Sequence, residues 1–574
     1  MAIESNPLFR LPVSLPENFD ADSILNPLKL RKDVQANIKA SMYYILDTLY
    51  HMANSRQWRD YYDEFGGYPL QAEILNKLLG KRYSEALRLL ETAGVITRTK
   101  GYEVGEQSKL VKLTDKYASV NHKIREIPLD SSLYKKLLKS KKKYDQENYQ
   151  ALQQIPFVTK WFDKSRLSVD LKKVHGFIEF YRIELENRIP QKLPTGRSKI
   201  EIEARITQRV NSMIDTINRL SSGDLHLKKI GLDHRLHSIL TSTKKELRTL
   251  YQYDSSPLVS IDLKASQPYL LTHLLNPEFW KKESKILIPE LHPQLSGIKL
   301  QQQLSSILMF VTSPKMQDSK GFQGINFNNF PWKDDLYNYI VKRAEKEGYQ
   351  KLFPDRTTVK KKMMMILYDD GVHMDRDSGF LLFQKWFPQE ADMILFFKQL
   401  SRKKKEQLAK KGLKIAPGTV INYLPILLQR LESKLILEDI CKRISQEIPA
   451  APLLPVHDCI LTTEKYADDI KQIVGRELKK ITGIEPGLTV ELYNHQQTLD
   501  DLKKLAADDM TEILEKKPKR SMEALTIKPP LMLQVPEKGN DWLIHSRYFD
   551  PNYLENFDPD EKIFVLIDDT NSKE

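Results

Sequence analysis

The chain has 574 residues, with 89 lysines and arginines against 76 aspartates and glutamates, which gives a net charge of +13. This length predicts about two to four domains, and the basic balance suggests a polyanionic partner, although a solvated surface is the simpler explanation. The 2 cysteines exclude a disulfide framework and a cysteine-rich zinc site, and the absence of a long apolar run or a signal-peptide pattern indicates a cytoplasmic protein with no membrane partner.

The N-terminal region, residues 1–120, is expected to contain a helix from Asp33 to Met52 and then a small DNA-binding fold. Residues 68–114 read as a helix, a turn at Gly80, a helix from Arg82 to Thr92 and two short strands. This order is typical of a winged helix-turn-helix. Its candidate DNA contacts are Lys81, Arg82, Arg88, Arg98 and Lys100. Because winged helices also bind proteins, a protein-binding role stays open.

The next region, residues 121–230, is predicted to be helical and highly charged. The lysine-rich run at 135–146 fits a solvated helix face, with contact to backbone phosphates as the alternative. The pattern over 166–222 fits either a helical hairpin that grips a duplex or an ordinary helical spacer.

Residues 231–505 alternate short apolar strands with amphipathic helices, which predicts an α+β fold. The strand VSID ends in Asp262, and LLPVHDCILTT reads as two strands with a tight bend at His457-Asp458. A buried aspartate is costly unless it is paired or binds a metal. Two such carboxylates, completed by substrate phosphates, suffice to hold two Mg²⁺ ions about 4 Å apart, with Mn²⁺ as the alternative.

A basic helix lies between the two aspartates in the sequence. It begins after Asp355, a good N-cap. One stripe, with a spacing of four residues, is formed by Arg356, Lys360, Met364 and Tyr368. Arg356 and Lys360 are expected to bind a triphosphate, and Tyr368 to stack near the template base or the incoming sugar. A basic stripe alone is more often a wet surface, but its position between two aspartate strands favours nucleotidyl transfer.

These segments, in this order, resemble motifs A, B and C of family A DNA polymerases and of the related single-subunit, phage-type RNA polymerases. The resemblance covers roughly residues 231–500. Motif A is matched by Asp262 with His273-Leu274, motif B by the stripe Arg-x3-Lys-x7-Tyr, and motif C by His457-Asp458.

Two further segments are similar to this family. Arg235 stands in RLHS, which resembles the stretch whose arginine contacts the minor groove near the primer end. Gln429 stands in LLQRLES, where the family has a glutamine-bearing helix that contacts template or primer.

The resemblance implies a right-hand polymerase of palm, fingers and thumb, preceded by the winged helix. It implies DNA primer-template and nucleoside triphosphates as partners, with RNA as an alternative, and a nucleoid-associated location. The implied catalytic residues are Asp262 and Asp458, which bind the metal ions, with Lys360, Arg356 and Tyr368. The implied nucleotide or template contacts are Gln267, Met364, Arg235, His457 and Gln429.

Several departures from the family bear on sugar choice. Gln267 replaces the glutamate that blocks a ribose 2′-hydroxyl in the DNA polymerases, Met364 replaces an aromatic residue, and Cys459 replaces an acid. A DNA polymerase is favoured, with an RNA polymerase or primase as the alternative. A non-catalytic replication initiator or regulatory DNA-binding protein with a decayed palm is a third interpretation. No exonuclease motif is evident before the palm, so a mobile-element enzyme without proofreading is expected.

The remaining region, residues 506–574, is predicted to be a linker followed by an acidic tail. Residues 541–574 contain nine acids against three bases, interleaved with aromatic residues. Such a tail fits a docking segment for a protein partner, a nucleic-acid mimic lying in the basic cleft, or a terminal segment without function.

Overall fold

The computed structural model combines helices and strands in one chain. It describes residues 11–54, 58, 62, 66–70, 72–98, 110–193, 198–221, 223, 225–231, 233–248, 250–282, 308–313, 327, 329–369, 374–410 and 423–515.

The N-terminal part combines two small antiparallel sheets with helices. Its elements are β1 (Pro12–Pro16), α1 (Ala21–Leu25), α2 (Lys32–Asn54), β2 (Tyr68–Pro69), α3 (Ala72–Leu79), α4 (Arg82–Thr92), β3 (Ile96–Arg98), β4 (Leu110–Leu113), α5 (Asp115–Ala118) and β5 (His122–Glu126). β1 pairs with β5, and the second sheet has the order β2-β4-β3.

The predicted helix, turn, helix and strand pair at 68–114 is present as secondary structure. The observed α4 has the predicted bounds, and α2 extends the predicted helix by a few residues. Gly80 joins α3 to α4 with a φ of 67°, a left-handed conformation that glycine adopts without steric cost. The loop between β3 and β4, which carries Lys100, lies outside the described residues.

A helical part follows. Its elements are α6 (Ser132–Leu152), α7 (Pro156–Thr159), β6 (Leu167–Val169), α8 (Leu171–Glu186) and α9 (Lys199–Ser221). Ser131 caps α6 by accepting a hydrogen bond from the Tyr134 amide at 3.1 Å.

An antiparallel sheet forms the centre of the remaining chain. The elements of this part of the chain as far as α13, and again from β9 onward, are α10 (Ile239–Ser242), α11 (Lys245–Arg248), β7 (Tyr251–Tyr253), β8 (Ser256–Leu263), α12 (Ser266–Leu274), α13 (Pro277–Lys282), β9 (Leu454–Val456), β10 (Cys459–Thr463), α20 (Ala467–Thr482), β11 (Leu488–Glu491) and α21 (His495–Leu514). The strand order is β6-β7-β8-β10-β9, and β11 also pairs with β8. Gly487, just before β11, lets the Trp332 backbone approach closely, because an added Cβ would lie 1.9 Å from the Trp332 carbonyl oxygen.

Further helices lie between α13 and β9 in the sequence. They are α14 (Leu336–Lys346), α15 (Arg356–Tyr368), α16 (Ser378–Trp386), α17 (Pro388–Lys410), α18 (Tyr423–Glu432) and α19 (Cys441–Glu447), with a π-helical segment at Ser433–Ile440 that joins α18 to α19. A π-helical segment shifts the register of a helix and often occurs at functional sites.

Among the residues that the structure describes, the buried apolar side chains form two clusters, one within residues 11–138 and the other within 155–513. In the sequence, α6 covers most of the interval between the two clusters. α21 packs on α8 and α9, and Arg209 Nη1 lies 2.7 Å from Asp509 Oδ1. Because of this packing, the segment predicted as linker and tail from residue 506 begins with helix as far as Leu514.

Within the described ranges, no helix is long and apolar enough to cross a membrane.

Candidate active site

The two predicted aspartates lie at neighbouring strands of the main sheet, Asp262 on β8 and Asp458 in the turn before β10. Asp262 is near the end of β8 and pairs in register with Cys459, the first residue of β10. Asp458 directly precedes β10, and its carbonyl oxygen accepts a hydrogen bond from the Leu263 amide at 3.3 Å. Both side chains are half-buried. The strand pairing therefore brings together two carboxylates that are far apart in the sequence.

The turn that carries Asp458 has an unusual backbone. Val456 pairs with Cys459, which leaves His457 and Asp458 as a two-residue turn. His457 has a φ of 56°, in a region that costs a side-chain-bearing residue about 1–2 kcal/mol. Such strain often accompanies functional sites.

His457 is a neutral group in this turn. Burial lowers the pKa of its imidazole to about 3, and the nearby Arg235 guanidinium acts in the same direction. The ring lies 5.8 Å from that of His237 in an edge-on arrangement. A neutral imidazole adds no positive charge beside Asp458, so it does not compete with a cation there.

Asp262 has an environment that suits a bound cation. Burial raises the pKa of its carboxyl, and the negative charges of Glu491 and Asp458 also raise it. A hydrogen bond from Ser260 Oγ to Asp262 Oδ2, at 2.6 Å, acts in the opposite direction. A divalent cation between the two carboxylates would remove their repulsion and favour the ionised form.

The donor set fits Mg²⁺ or Mn²⁺ only in part. Both cations prefer oxygen ligands, and Mg²⁺ usually keeps several waters. Within the part of the chain that the structure describes, no group of three or more histidine, cysteine, aspartate or glutamate residues is arranged to hold a metal ion. Asp262 and Asp458 would therefore need phosphate oxygens and waters to complete the coordination.

A third acid beside this pair was not predicted from the sequence. Glu491 on β11 stands opposite Ser260 on β8, and its carboxylate accepts a 2.9 Å hydrogen bond from Lys245 Nζ. The signal was present in the sequence as an acid at the end of an apolar strand, LTVE, but only the sheet order places this strand beside β8.

α15 carries the predicted basic stripe. Asp355 caps the helix by accepting a hydrogen bond from the Thr358 amide at 2.9 Å. Lys360 is exposed, and Met364 is half-buried. Lys362 lies outside the stripe and forms a 2.6 Å ion pair with Asp377.

Arg356, at the start of the stripe, is held by residues near the start of α14. Its Nε lies 2.8 Å from Asp335 Oδ2, and its guanidinium lies 5.4 Å from the centre of the Tyr337 ring. Half of its side chain stays exposed, so the guanidinium remains accessible to a phosphate.

Tyr368, at the other end of the stripe, lies near the carboxylates. Burial raises the pKa of its phenol, and the charge of Asp458 contributes to this increase. Burial also raises the pKa of Tyr337 to about 12, again with a contribution from Asp458. Gln429 Nε2 lies 3.4 Å from the Tyr368 hydroxyl. The stripe therefore ends at a tyrosine whose hydroxyl lies next to Gln429 and whose pKa is affected by the charge of Asp458.

A buried polar cluster near Tyr368 links three elements. Glu432 at the end of α18 is 1% exposed. One of its carboxylate oxygens, Oε1, contacts Arg235 Nε at 2.9 Å and Nη2 at 2.7 Å, while Oε2 accepts a 2.7 Å hydrogen bond from Gln267 Nε2. Burial raises the pKa of the Glu432 carboxyl to about 7, although Arg235 opposes this shift. The sequence did not identify Glu432 as a site residue; in the same segment it indicated only Gln429, as a contact to template or primer.

The predicted DNA contacts that the structure describes in the N-terminal part lie on α4, next to its start and on β3. Lys81 and Arg88 are exposed, and Arg82 is half-buried. Arg98 forms an ion pair with Glu91, whose Oε2 is 2.9 Å from Arg98 Nε, so its charge is partly neutralised.

No family model matches this chain, and no curated protein matches it. A solved structure to which the chain is similar is the POL domain of Pol1 from M. smegmatis, in complex with DNA primer-template and dNTP. The identity is 12% and the TM-score 0.32, over 77% of this chain and 80% of that chain. This TM-score is too low to establish a common fold.

Proposed function

We propose that this chain is a template-directed nucleic-acid polymerase that joins nucleotides by two-metal nucleotidyl transfer. The observation that carries the proposal is the arrangement of Asp262 and Asp458. Asp262 on β8 pairs in register with Cys459, the residue that directly follows Asp458, and both aspartate side chains are half-buried. The charge of Asp458 also contributes to the raised pKa of Tyr368, at the end of the basic helical stripe.

The proposed site residues form two groups, one that binds the metal ions and one that binds the nucleotide. Asp262 and Asp458 would hold two Mg²⁺ ions, or Mn²⁺ in their place, and the bound ions would supply activation of the primer 3′-hydroxyl and neutralisation of the pyrophosphate charge. Lys360 and Arg356 bind the triphosphate, and Arg356 exchanges Asp335 for a phosphate when the nucleotide arrives. Tyr368 supplies an aromatic face for the template base or the incoming sugar.

The proposed substrate is a deoxynucleotide. Gln267, five residues after Asp262, is 5% exposed and held by Glu432, which supports a fixed side chain beside the sugar. Met364 in the stripe is the observation that favours the second candidate, a single-subunit RNA polymerase or primase, since the resembled RNA polymerases also lack an aromatic residue there.

Nucleic acid is proposed to bind through the winged helix and the helical region. Lys81, Arg82, Arg88 and Arg98 carry the basic charge near α4, and α8 with α9 forms the proposed thumb. Gln429 and Arg235 are proposed to contact template or primer, and His457 shapes the turn beneath them. A compact enzyme of this kind, without proofreading, fits a cytoplasmic, nucleoid-associated role in replicating a mobile element.

The test is extension of a labelled primer on a DNA template with Mg²⁺, with dNTPs and rNTPs offered separately. Asp262→Asn and Asp458→Asn are compared with Asp468→Asn, a control acid that is exposed in the first turn of α20. We expect extension by the wild type and the control, and its loss in the two site variants.

The alternatives give different results in the same assay. Extension mainly with rNTPs would establish an RNA polymerase or primase. No extension with either nucleotide, together with tight DNA binding, would overturn the catalytic proposal in favour of an initiator or regulator.

A further inference from the structure

Glu432 is the most completely buried acid around the candidate site, and both of its carboxylate oxygens are used. Oε1 receives two contacts from Arg235, and Oε2 receives the amide of Gln267. These residues lie on separate segments, the loop before α10, the first turn of α12 and the end of α18. Glu432 therefore joins three elements that surround the proposed nucleotide site.

The contact fixes the orientation of the Gln267 amide. An ionised carboxylate only accepts hydrogen bonds, so Gln267 must present its NH₂ group to Glu432. Its carbonyl oxygen Oε1 is consequently directed away from Glu432, and this buried atom has no hydrogen-bond partner within the described residues. A buried polar atom without a partner is costly and is available to a ligand group that reaches it.

We propose that Glu432 is a positioning residue that sets the choice between deoxyribose and ribose by holding the side chain of Gln267 in one orientation. This role rests on the polymerase activity proposed above. Glu432 does not touch the nucleotide in this scheme and acts through Gln267. Arg235 holds the other carboxylate oxygen and keeps Glu432 in place.

Replacing the carboxylate by an amide disturbs this arrangement without changing its size. In Glu432→Gln, one of the two terminal atoms becomes a donor. If the remaining oxygen stays on Arg235, the new NH₂ group faces the NH₂ group of Gln267, which must turn over or move away. In the double variant Gln267→Glu with Glu432→Gln, carboxylate and amide have changed places. The donor–acceptor pair is restored, and an oxygen again occupies the free position.

The experiment measures kcat/KM for a dNTP and for the matching rNTP on one primer-template, at pH 8.5 with Mg²⁺. The variants are Glu432→Gln, Gln267→Ala, the combination of both, and the exchanged pair. Glu438→Gln is the matched control. Glu438 lies on the same continuous helix and forms a 2.9 Å ion pair with Lys229, but it does not contact Gln267. Thermal unfolding of each variant establishes that it is folded.

We expect the dNTP/rNTP ratio of Glu432→Gln to move toward one by about tenfold, the factor that corresponds to one lost charge-assisted hydrogen bond of about 1.4 kcal/mol. The exchanged pair should return to within about twofold of the wild-type ratio, and the control should stay within the same margin. In the Gln267→Ala background, Glu432→Gln should cause no further change, because its effect passes through Gln267.

An unchanged ratio in Glu432→Gln, alongside normal extension by the wild type, overturns this inference and leaves the proposed function intact. An equal effect with and without Gln267, or an equal shift in the control, also overturns it, because Glu432 then acts generally on the structure. If the wild type extends with neither nucleotide, the proposed function fails, and the role in sugar choice fails with it.

Discussion

The buried carboxyl of Glu432 should make the stability of this protein depend on pH in a specific way. Its pKa in the folded chain is raised to about 7 by burial, above the ordinary value of 4.5. Between these two values the folded chain holds a proton that the unfolded chain has released. The contribution of this proton to the free energy of unfolding is therefore complete below pH 4.5 and is lost as the pH rises through 7.

The magnitude follows from the two pKa values. A difference of about 2.5 units corresponds to about 3 kcal/mol, at 1.36 kcal/mol for each unit. Glu432→Gln does not titrate and lacks this loss. The unfolding free energy of the variant minus that of the wild type should therefore rise by up to about 3 kcal/mol between pH 5 and pH 8. The effect of Arg235 on the ionised carboxylate is already contained in the raised pKa, and the remaining difference in packing and hydrogen bonding between the two side chains does not depend on the pH.

The assay is denaturant unfolding at several pH values and constant ionic strength, followed by tryptophan fluorescence. Four of the 6 tryptophans lie in the core that contains Glu432, so the signal reports on the relevant part of the chain. Other titrating groups are common to both proteins and cancel in the difference. Glu390→Gln provides an independent comparison, because burial also raises the pKa of Glu390 to about 7. A difference that stays constant or falls as the pH rises would refute the reasoning.

Three further predictions concern separate parts of the molecule. Lys360→Ala should raise the KM for the incoming nucleotide about tenfold by removing a phosphate contact, whereas Lys361→Ala, the exposed neighbour outside the stripe, should leave it unchanged in steady-state extension assays. Gly487→Ala should lower the unfolding free energy by about 3 kcal/mol through overpacking, because the new Cβ would overlap a backbone carbonyl at 1.9 Å, while Gly475→Ala, in a helix with only an ordinary 3.6 Å contact, should be neutral or stabilising in the same melt. A chain ending at residue 515 should keep the melting temperature of the full chain, since the described core lies before that point, and unchanged affinity for primer-template would exclude a tail that mimics nucleic acid.

Local signals in the sequence were sufficient for several elements. Good capping residues and glycine turns mark the ends of α4 and α15, and both helices begin at the residues that these signals predict. The tight bend at His457-Asp458 between two short strands is likewise observed. These features depend on residues within a few positions of one another, where propensity and capping act directly.

The catalytic and binding roles of the site residues stay predictions. Their positions in the structure reveal contacts between residues that are far apart in the sequence. Arg356 was selected from its helical spacing, yet nothing in that spacing reveals that Asp335 holds its guanidinium. The helix of α21 runs beyond residue 506 because α8 and α9 receive it, through contacts such as Arg209 with Asp509. The sequence of the segment by itself does not indicate that α8 and α9 pack against it.

The sequence alone determined the order of the elements at 68–114, the two aspartates at strand ends, and the basic stripe between them, because each depends on spacing and local propensity. Only the tertiary structure decided that Glu432 meets Arg235 and Gln267, and that Glu491 lies beside β8. The physical reason is that strand pairing and burial join segments separated by more than a hundred residues, as Gln267 and Glu432 are, with a separation of 165. Burial by the whole fold, and not any local pattern, gives the Glu432 carboxyl its raised pKa.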